Sequence, residues 1–319
     1  MTASAQPTAE QVPAPLRWPR ATKTALPSAV LKRRPEDFRV FEQLHIDFSG
    51  DGEHLYLCVE KRGLETREVV KHLASHFRVM AMDVGYAGLK DKWSVARQWF
   101  SVPTFDAAAG LSIPGLKVVT SARHNCKLRR GRHEGNRFEI RLRNLAGAEI
   151  QVRDTAPNYF GQQRFGTANL DRARAWLHQR RQRQVSRAER GWHLSVLRSY
   201  LFNEVLAERV VAGSWCRTLP GDVLLDGKAT GPLWGRGRSA TGAAAATLEN
   251  RALAGHRAIC EGLEFAGARQ SRRALVAAPR DLTVTPEGDG VVIGFTLATG
   301  AYATSFLAES FALVEERVP

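Results

Sequence analysis

A single carboxylate stands between two lysines in Lys90-Asp91-Lys92, directly after the short apolar segment 84–89. This segment contains two glycines, so we predict a buried strand that ends in a tight turn and presents Asp91. Neighbouring ammonium groups favour the charged form of a carboxylate. Asp91 is therefore a candidate nucleophile, although three such residues taken alone are more typical of a solvated turn.

The elements that must position Asp91 are predicted from residue periodicity. Two strands, over residues 29–34 and 38–44, are joined across Pro35-Glu36-Asp37, and a third covers residues 54–61. Thr66 is the predicted cap of a helix. Apolar residues at helical spacing mark its buried face: Val69, Val70, Leu73 and Phe77. A strand–helix–strand unit thus leads to Asp91.

The charge of the chain indicates a polyanionic partner. Its 319 residues include 46 Lys and Arg against 32 Asp and Glu, a net charge of +14. Nucleic acid is the first candidate, and an anionic membrane surface is the second. Residues 137–143 alternate apolar and charged side chains, which predicts a strand whose arginines face outward, where they can meet phosphates or only solvent. No apolar run approaches the ~20 residues of a membrane helix.

Several cofactor classes lack their signals. The four cysteines form no Cys-x-x-Cys pair, so neither a zinc site nor a redox motif is indicated. Residues 235–240 fit a loose Gly-x-Gly-x-x-Ala pattern, but no strand directly precedes them and no acidic strand end follows. Residues 1–15 do not resemble a secretory signal, and we expect a disordered tail and a cytoplasmic protein.

Five motifs together resemble one known family. Gly-Leu-Lys-Asp-Lys at 88–92, followed by Ala-Arg-Gln-Trp at 96–99, resembles the catalytic motif of the TruD family of pseudouridine synthases. Four further motifs resemble that family: Pro-Glu-Asp-Phe at 35–38, Gly-Asn-Arg-Phe at 135–138, Pro-Asn-Tyr-Phe-Gly-Gln-Gln-Arg-Phe-Gly at 157–166, and Gly-Ala-Tyr-Ala-Thr-Ser at 300–305. The family commonly has phenylalanine where this chain has Tyr302.

The resemblance implies a role for particular residues. Asp91 would be catalytic, and the substrate-binding residues would be Phe38, Lys90, Asn136, Phe138 and Tyr302. An amide such as that of Asn136 suits the edge of a uracil, and an aromatic ring can stack on a base. We also expect Lys90 to keep the Asp91 carboxylate charged and oriented.

The implied fold is α+β, with a mixed, mostly antiparallel sheet and flanking helices in the catalytic domain. That domain would be split over residues 28–159 and 277–319, with a TruD-specific α/β domain inserted at 160–276 and a disordered tail at 1–27. The implied reaction isomerises uridine to pseudouridine in tRNA, at position 13, on a flipped-out base. It needs no metal and no external cofactor, and the expected enzyme is a monomer with tRNA as its partner.

The residues leave some alternatives open. Asp91 could attack C1′ of the ribose or C6 of the ring, or assist a glycal route. A non-catalytic RNA-binding protein on the same scaffold is the competing function, against which an intact Lys90-Asp91 argues. Another RNA-modifying enzyme, such as a methyltransferase, is disfavoured by the lack of a cofactor fingerprint.

Overall fold

The structure, a computed structural model, describes residues 18–107, 110–166, 168–179 and 184–318. The chain forms two compact units. The first, here the split unit, contains Thr22–Ala156 and the described part of Ala277–Pro319. The second, here the insert unit, contains the described parts of Met1–Ala21 and Pro157–Val276.

Strands and helices are numbered along the chain. The strands are β1 (Ser28–Leu31), β2 (Phe38–Gln43), β3 (His54–Arg62), β4 (Gly85–Tyr86), β5 (Val95–Pro103), β6 (Leu116–His124), β7 (Gly135–Arg143), β8 (Ala156–Pro157), β9 (Leu224–Leu225), β10 (Lys228–Leu233), β11 (Ser271–Ala274), β12 (Val276–Ala277), β13 (Arg280–Glu287), β14 (Gly290–Ala298) and β15 (Ala312–Glu315). The α-helices are α1 (Thr66–His76), α2 (Asn169–Gln179), α3 (Arg187–Val211), α4 (Ala243–Leu253), α5 (Arg257–Phe265) and α6 (Ala303–Leu307).

Ten strands of the described chain build one sheet in the split unit. Its main path runs β13-β14-β7-β2-β5-β3-β6, while β1 pairs with β7 and β15, and β4 pairs with β5. The β1–β15 and β2–β5 pairs are parallel, and the other pairs are antiparallel. The predicted mixed, mostly antiparallel sheet with flanking helices is confirmed.

Alternation of residue type sets which sheet face is buried. In β7 the even positions from Phe138 to Leu142 are buried, and the arginines and glutamate between them are half-buried. The same period in β2 buries Phe38, Val40 and Glu42. The predicted strand over residues 137–143, with one apolar and one charged face, is thus confirmed. Removing large side chains from water on this face is a main source of stability, roughly 1.5–3 kcal/mol each.

Helix α1 covers part of the same unit. Val69, Val70, Leu73 and Phe77 are each less than 10% exposed and pack with residues of β3 and β5, as the helical spacing predicts. The helix is capped differently from the prediction, because Glu65 and not Thr66 is the N-cap residue. The Thr66 hydroxyl instead accepts a hydrogen bond from the Lys90 backbone N–H at 2.9 Å.

The insert unit combines helices with a small sheet. Strands β9, β10 and β11 form an antiparallel sheet in the order β11-β10-β9. Helices α2, α3 and α5 contribute to one apolar cluster, and Leu197, Leu201 and Val205 of α3 are fully buried in it.

The first residues of the described chain make specific contacts. Residues 1–17 of the expected disordered tail lie outside the described residues. Within residues 18–27, the Trp18 indole N–H donates to Glu204 at 3.0 Å, and the Thr22 backbone N–H donates to Glu309 at 3.0 Å. In the part of the chain that the structure describes, no helix has the length and apolarity needed to cross a membrane.

Candidate active site

Asp91 lies in the loop between β4 and β5, and its side chain is 40% exposed. The strand predicted over residues 84–89 is shorter in the structure, because only Gly85–Tyr86 pairs with β5. The backbone carbonyl of Asp91 accepts hydrogen bonds from the Lys61 amine at 2.8 Å and from the Ser94 hydroxyl at 2.8 Å. These two bonds fix the loop, while the carboxylate stays accessible from solvent.

The carboxylate is held by a lysine from a distant part of the chain. The Lys32 amine lies 2.9 Å from Asp91 Oδ2, and the Lys32 side chain is only 1% exposed. Lys32 follows β1 directly and has a left-handed backbone, with φ of 59°. The Trp93 indole N–H donates to the Lys32 carbonyl at 2.8 Å. A buried ammonium in contact with a partly exposed carboxylate stabilises the negative charge that a nucleophile requires.

The same ammonium also contacts an aromatic ring. The Lys32 amine lies 4.6 Å from the centroid of the Phe38 ring, a cation–π distance. It lies 3.6 Å from a carboxylate oxygen of Glu315, on the strand that pairs with β1. Lys32 therefore connects the predicted catalytic residue Asp91 with the predicted binding residue Phe38.

The two lysines beside Asp91 in sequence form ion pairs elsewhere. The Lys90 amine lies 2.6 Å from Glu42 Oε2, and both side chains are almost fully buried. The Lys92 amine lies 3.3 Å from a carboxylate oxygen of Glu68, at the surface. We expect Lys90 to hold the carboxylate of Asp91, but in the structure Lys32, which follows β1, occupies that place. The predicted role of Lys90 in substrate binding stays a prediction.

Asn136 provides a buried polar group on the sheet face that also carries Glu42. It lies on β7, opposite Glu42 of β2 and Leu297 of β14. Its side-chain Oδ1 is buried and has no hydrogen-bond partner among the described residues. An unpaired buried acceptor costs roughly 1–3 kcal/mol, so the site favours a ligand that brings a donor.

A histidine lies close to the Glu42–Lys90 pair. A Cβ at Gly88 would lie 3.2 Å from the His133 ring and 3.4 Å from the Lys90 amine, so both side chains border this glycine. Burial lowers the pKa of His133, and the positive charge of Lys90 lowers it further. The imidazole is therefore neutral near pH 7, where it can donate and accept one hydrogen bond each.

Phe38 and Phe138 belong to the hydrophobic core of the split unit. They are 5% and 7% exposed, and their rings meet edge to face with centroids 6.1 Å apart. Phe138 also stacks on Phe295 at a centroid distance of 5.4 Å. Phe295 thus covers one face of the Phe138 ring. Direct contact of either predicted ring with a base stays a prediction.

Tyr302 is the N-cap residue of α6 and is half-buried. The turn before it is fixed beside the start of β7, since the Thr299 hydroxyl donates to the His133 carbonyl at 2.6 Å. The Thr299 backbone N–H donates to the Glu134 carbonyl at 3.0 Å. These bonds bring the C-terminal motif next to the segment that carries Asn136.

The structure groups the predicted residues in two places on one sheet face. Asp91 and Phe38 meet at Lys32, while Asn136 lies by the Glu42–Lys90 pair. Successive residues of a strand alternate between faces, so Phe38 and Glu42 of β2 share a face, as do Asn136 and Phe138 of β7. The arrangement offers the accessible carboxylate of Asp91, the stabilising cation of Lys32 and the unpaired amide oxygen of Asn136.

Sequence reasoning missed four residues of this site: Lys32, Glu42, Lys61 and His133. The one sequence signal for Lys32 is its position, directly after an apolar strand and six residues before the predicted Phe38. Burial of the others depends on strand pairing, which a single sequence does not display.

Comparison with known proteins identifies relatives over almost the whole chain. The family model of tRNA pseudouridine synthase D (TruD) matches residues 20–173. The tRNA pseudouridine synthase D of Cellvibrio japonicus is 40% identical, covering 95% of this chain and 95% of its own. That of Pseudomonas syringae is also 40% identical, covering 94% of this chain and 96% of its own.

A solved structure has the same fold. The crystal structure of a tRNA pseudouridine synthase D (TruD) from Methanosarcina mazei superposes with a TM-score of 0.67 at 19% identity. The match covers 93% of this chain and 96% of the Methanosarcina mazei chain.

Proposed function

The chain belongs to the TruD family of tRNA pseudouridine synthases, and from this membership we propose that it converts uridine to pseudouridine in tRNA, at position 13. The observation that carries the proposal is the accessible Asp91 carboxylate in contact with the buried Lys32 amine. Asp91 stands in the motif by which the sequence resembles the family, and Lys32 lies outside the five motifs.

The reaction is an isomerisation, so the product has the same composition as the substrate. The bond between C1′ and N1 breaks, the uracil rotates, and a bond between C1′ and C5 forms. The hydrogen at C5 leaves as a proton, and N1 gains one. No electron is transferred to or from an external group, so the proposed reaction needs no redox cofactor.

Asp91 is the proposed catalytic residue, acting as a carboxylate. It can attack C1′, attack C6 of the ring, or take a proton on a glycal route, and each route begins from an ionised oxygen. Lys32 supplies a positive charge 2.9 Å from Asp91 Oδ2, which orients this oxygen. Lys61 and Ser94 hold the backbone of Asp91, so the carboxylate is positioned before the substrate arrives.

Recognition of the flipped base is assigned to Asn136, to Lys90 and to three aromatic rings. Flipping a base costs a few kcal/mol, which contacts in the pocket must offset. The unpaired Oδ1 of Asn136 can accept the N3–H of uracil, which cytosine lacks. Lys90 would act through its ion pair with Glu42, beside Asn136 on the neighbouring strand. Phe38, Phe138 and Tyr302 are the proposed apolar surfaces for the ring.

The proposal assigns catalysis to the split unit and the role of an inserted TruD-specific domain to the insert unit. Lys32, Asp91, Asn136 and Tyr302 all belong to the split unit of one chain, which supports action as a monomer. With tRNA as its substrate, the proposed site of action is the cytoplasm.

The decisive experiment compares the wild type with Asp91→Asn on an unmodified tRNA transcript that carries U13. We expect the variant to bind the tRNA with a Kd within about threefold of the wild type, because the substitution changes one atom at a partly exposed side chain. We expect no detectable pseudouridine, measured by mass spectrometry of the digested RNA.

Two results would refute this assignment. Near-normal turnover by the variant would remove Asp91 from the mechanism. A wild-type protein that binds tRNA and forms no pseudouridine would indicate the competing function, RNA binding without catalysis.

A further inference from the structure

A groove lined by cations lies on the split unit, apart from the residues assigned to catalysis. Its walls carry five basic side chains together with the ring of Tyr86: Arg67, Lys71, Lys127, Arg129 and Arg130. The described residues that line it include no carboxylate, and in the described chain none of the five cations lies within 4.0 Å of one. Most basic side chains of the described sheet, in contrast, have acidic partners, as Arg97 has Glu60 and Arg143 has Asp37.

One wall of the groove is the first half of helix α1. Arg67 and Lys71 are both exposed and stand four residues apart, so they lie side by side on one face of the helix. Like charges at this spacing destabilise a helix, and a cation in the first turn opposes the helix dipole. Both unfavourable terms are removed when an anion binds between the two side chains.

The opposite wall is the loop over residues 126–132, and its backbone is firmly attached. The Tyr56 hydroxyl donates to the Cys126 carbonyl at 2.9 Å, and the Leu128 backbone N–H donates to the Ser101 hydroxyl at 2.9 Å. The Leu128 side chain is 2% exposed. The exposed Arg129 and Arg130 that follow it therefore start from a fixed backbone, so the entropy lost on binding is that of their side chains.

Two further contacts attach this loop to the segment that leads to Asp91. The Gly131 backbone N–H donates to the Ala87 carbonyl at 2.8 Å. A side chain at Gly85 would collide with the Leu128 carbonyl, so strand β4 and the loop pack at backbone distance. The groove is thus joined to the segment that leads to the catalytic loop, and Asp91 follows Tyr86 by five residues.

The chemistry of the groove suits a sugar–phosphate backbone. The Arg130 guanidinium lies 4.7 Å from the centroid of the Tyr86 ring and bonds to its hydroxyl, which orients the guanidinium across the groove. Planar guanidinium groups bind phosphate oxygens with two hydrogen bonds. Several cations without opposing carboxylates match a polymer of phosphates better than one small anion.

We propose that this basic groove, formed by Arg67, Lys71, Lys127, Arg129 and Arg130, binds the phosphate backbone of the substrate tRNA outside the isomerised nucleotide. The proposal rests on the proposed function for the identity of the RNA. It adds a second contact region, which anchors the tRNA while the target uridine leaves its stack.

The test measures the affinity of the R129Q/R130Q double variant for the same U13 transcript as a function of salt. The matched control is Arg280→Gln, because Arg280 is exposed, has no carboxylate within 4.0 Å in the described chain, and begins β13 at the opposite end of the sheet path from β6. We expect the Kd of the double variant to rise about tenfold near 0.1 M salt. The slope of log K against log salt should become shallower by about 1.5–2, as for two lost phosphate contacts.

Arg280→Gln should change the Kd less than twofold and leave the slope as in the wild type. Lys71→Gln, on the other wall, should raise the Kd about threefold. If the double variant keeps the wild-type Kd and slope, or loses no more affinity than Arg280→Gln, the proposed groove contact is wrong. The proposed groove contact is also wrong if the double variant binds tRNA as the wild type does but no longer binds a protein partner.

Pseudouridine formation by the wild type is measured in the same samples. If the wild type forms pseudouridine and the groove variants bind tRNA as the wild type does, only the groove proposal is overturned. Absence of wild-type turnover overturns the proposed function, and with it the description of the bound RNA as a substrate.

Discussion

Lys32 has two energetic costs, which the contacts of its amine offset. Its backbone is left-handed, which costs a residue with a side chain roughly 1–2 kcal/mol, and its ammonium is buried. Its amine in return contacts Asp91, Glu315 and the Phe38 ring. Strain of this kind is concentrated at functional sites, where the surrounding structure maintains it.

The first prediction at this scale concerns the loss of that charge. Lys32→Met keeps most of the side-chain length and removes the ammonium, so Asp91 loses its contact at 2.9 Å. We expect pseudouridine formation to slow by roughly 100-fold or more, as when an oriented electrostatic contact is deleted from an active site. Single-turnover assays measure this, and tRNA binding should stay within about threefold.

Lys92→Met is the matched control. Lys92 is adjacent to Asp91 in sequence but pairs with Glu68 at the surface, so its removal should change the rate less than threefold. Equal losses in the two variants would mean that general positive charge, and not the Lys32 contact, supports Asp91.

Individual residues were predictable where a motif is local. Asp91 stands out because its flanking residues are contiguous, and the structure presents its side chain as accessible. Its cationic partner was not predictable from spacing, since Lys32 lies 59 residues earlier. The nearest lysines in sequence were the natural candidates, but strand pairing directs Lys90 to Glu42.

At the scale of elements, the end of β3 supports the catalytic loop. The Lys61 amine is fully buried and donates to the carbonyls of Leu64 at 2.6 Å and Asp91 at 2.8 Å. Burial lowers the pKa of Lys61 to about 8, although the charge of Asp91 acts in the opposite direction. A lysine thus reinforces the loop by hydrogen bonds that it can donate in either protonation state.

This pKa predicts how stability depends on pH. Between about pH 8 and pH 10.5 the unfolded chain holds a proton on Lys61 that the folded chain has released, so raising the pH stabilises the folded state. Over this window the free energy of unfolding of the wild type should rise relative to Lys61→Met by up to about 3 kcal/mol. Urea denaturation of both proteins at pH 7.5, 9 and 10.5 measures the difference.

Other lysines titrate in the same range, and subtraction of the variant removes their contribution. A difference between the two proteins that stays constant from pH 7.5 to pH 10.5 would mean that Lys61 is protonated in the folded state throughout.

The elements most predictable from the sequence are those whose apolar residues repeat regularly over their length. The strand over residues 137–143 and the buried face of α1 follow directly from spacings of two and of three to four residues. The segment 84–89 was overestimated, because apolar composition does not reveal that only Gly85–Tyr86 finds a pairing partner. Thr66 has a capping side chain but uses its hydroxyl on the Asp91 loop, a tertiary contact that overrides the local preference.

At the scale of the whole molecule, each compact unit has its own buried core. The insert unit contains the buried ion pair between Arg209 and Asp222, whose side chains are 1% and 0% exposed. Two nitrogens of Arg209 are buried without hydrogen-bond partners among the described residues. Arg209 therefore depends strongly on the charge of Asp222.

Asp222→Asn removes that charge and should destabilise the insert unit by about 3–5 kcal/mol, because a buried guanidinium is left uncompensated. We expect amide hydrogen exchange to accelerate in α3 and β10, with protection of β7 and β14 unchanged. Arg251→Gln, which affects a surface pair with Glu208, is the control and should change neither. Equal acceleration in both sheets would show that the two units unfold as one.

The parallel pairing of β1 with β15 has a consequence for synthesis on the ribosome. Strand β1, which ends next to Lys32, finds this neighbour only after residues 312–315 have emerged, and β7 meets β14 only after residues 290–298. A nascent chain therefore carries open strand edges through most of translation, when pairing with other chains is a hazard. Because Lys32 directly follows β1, we expect the contact between Lys32 and Asp91 to be fixed only after β15 has paired with β1.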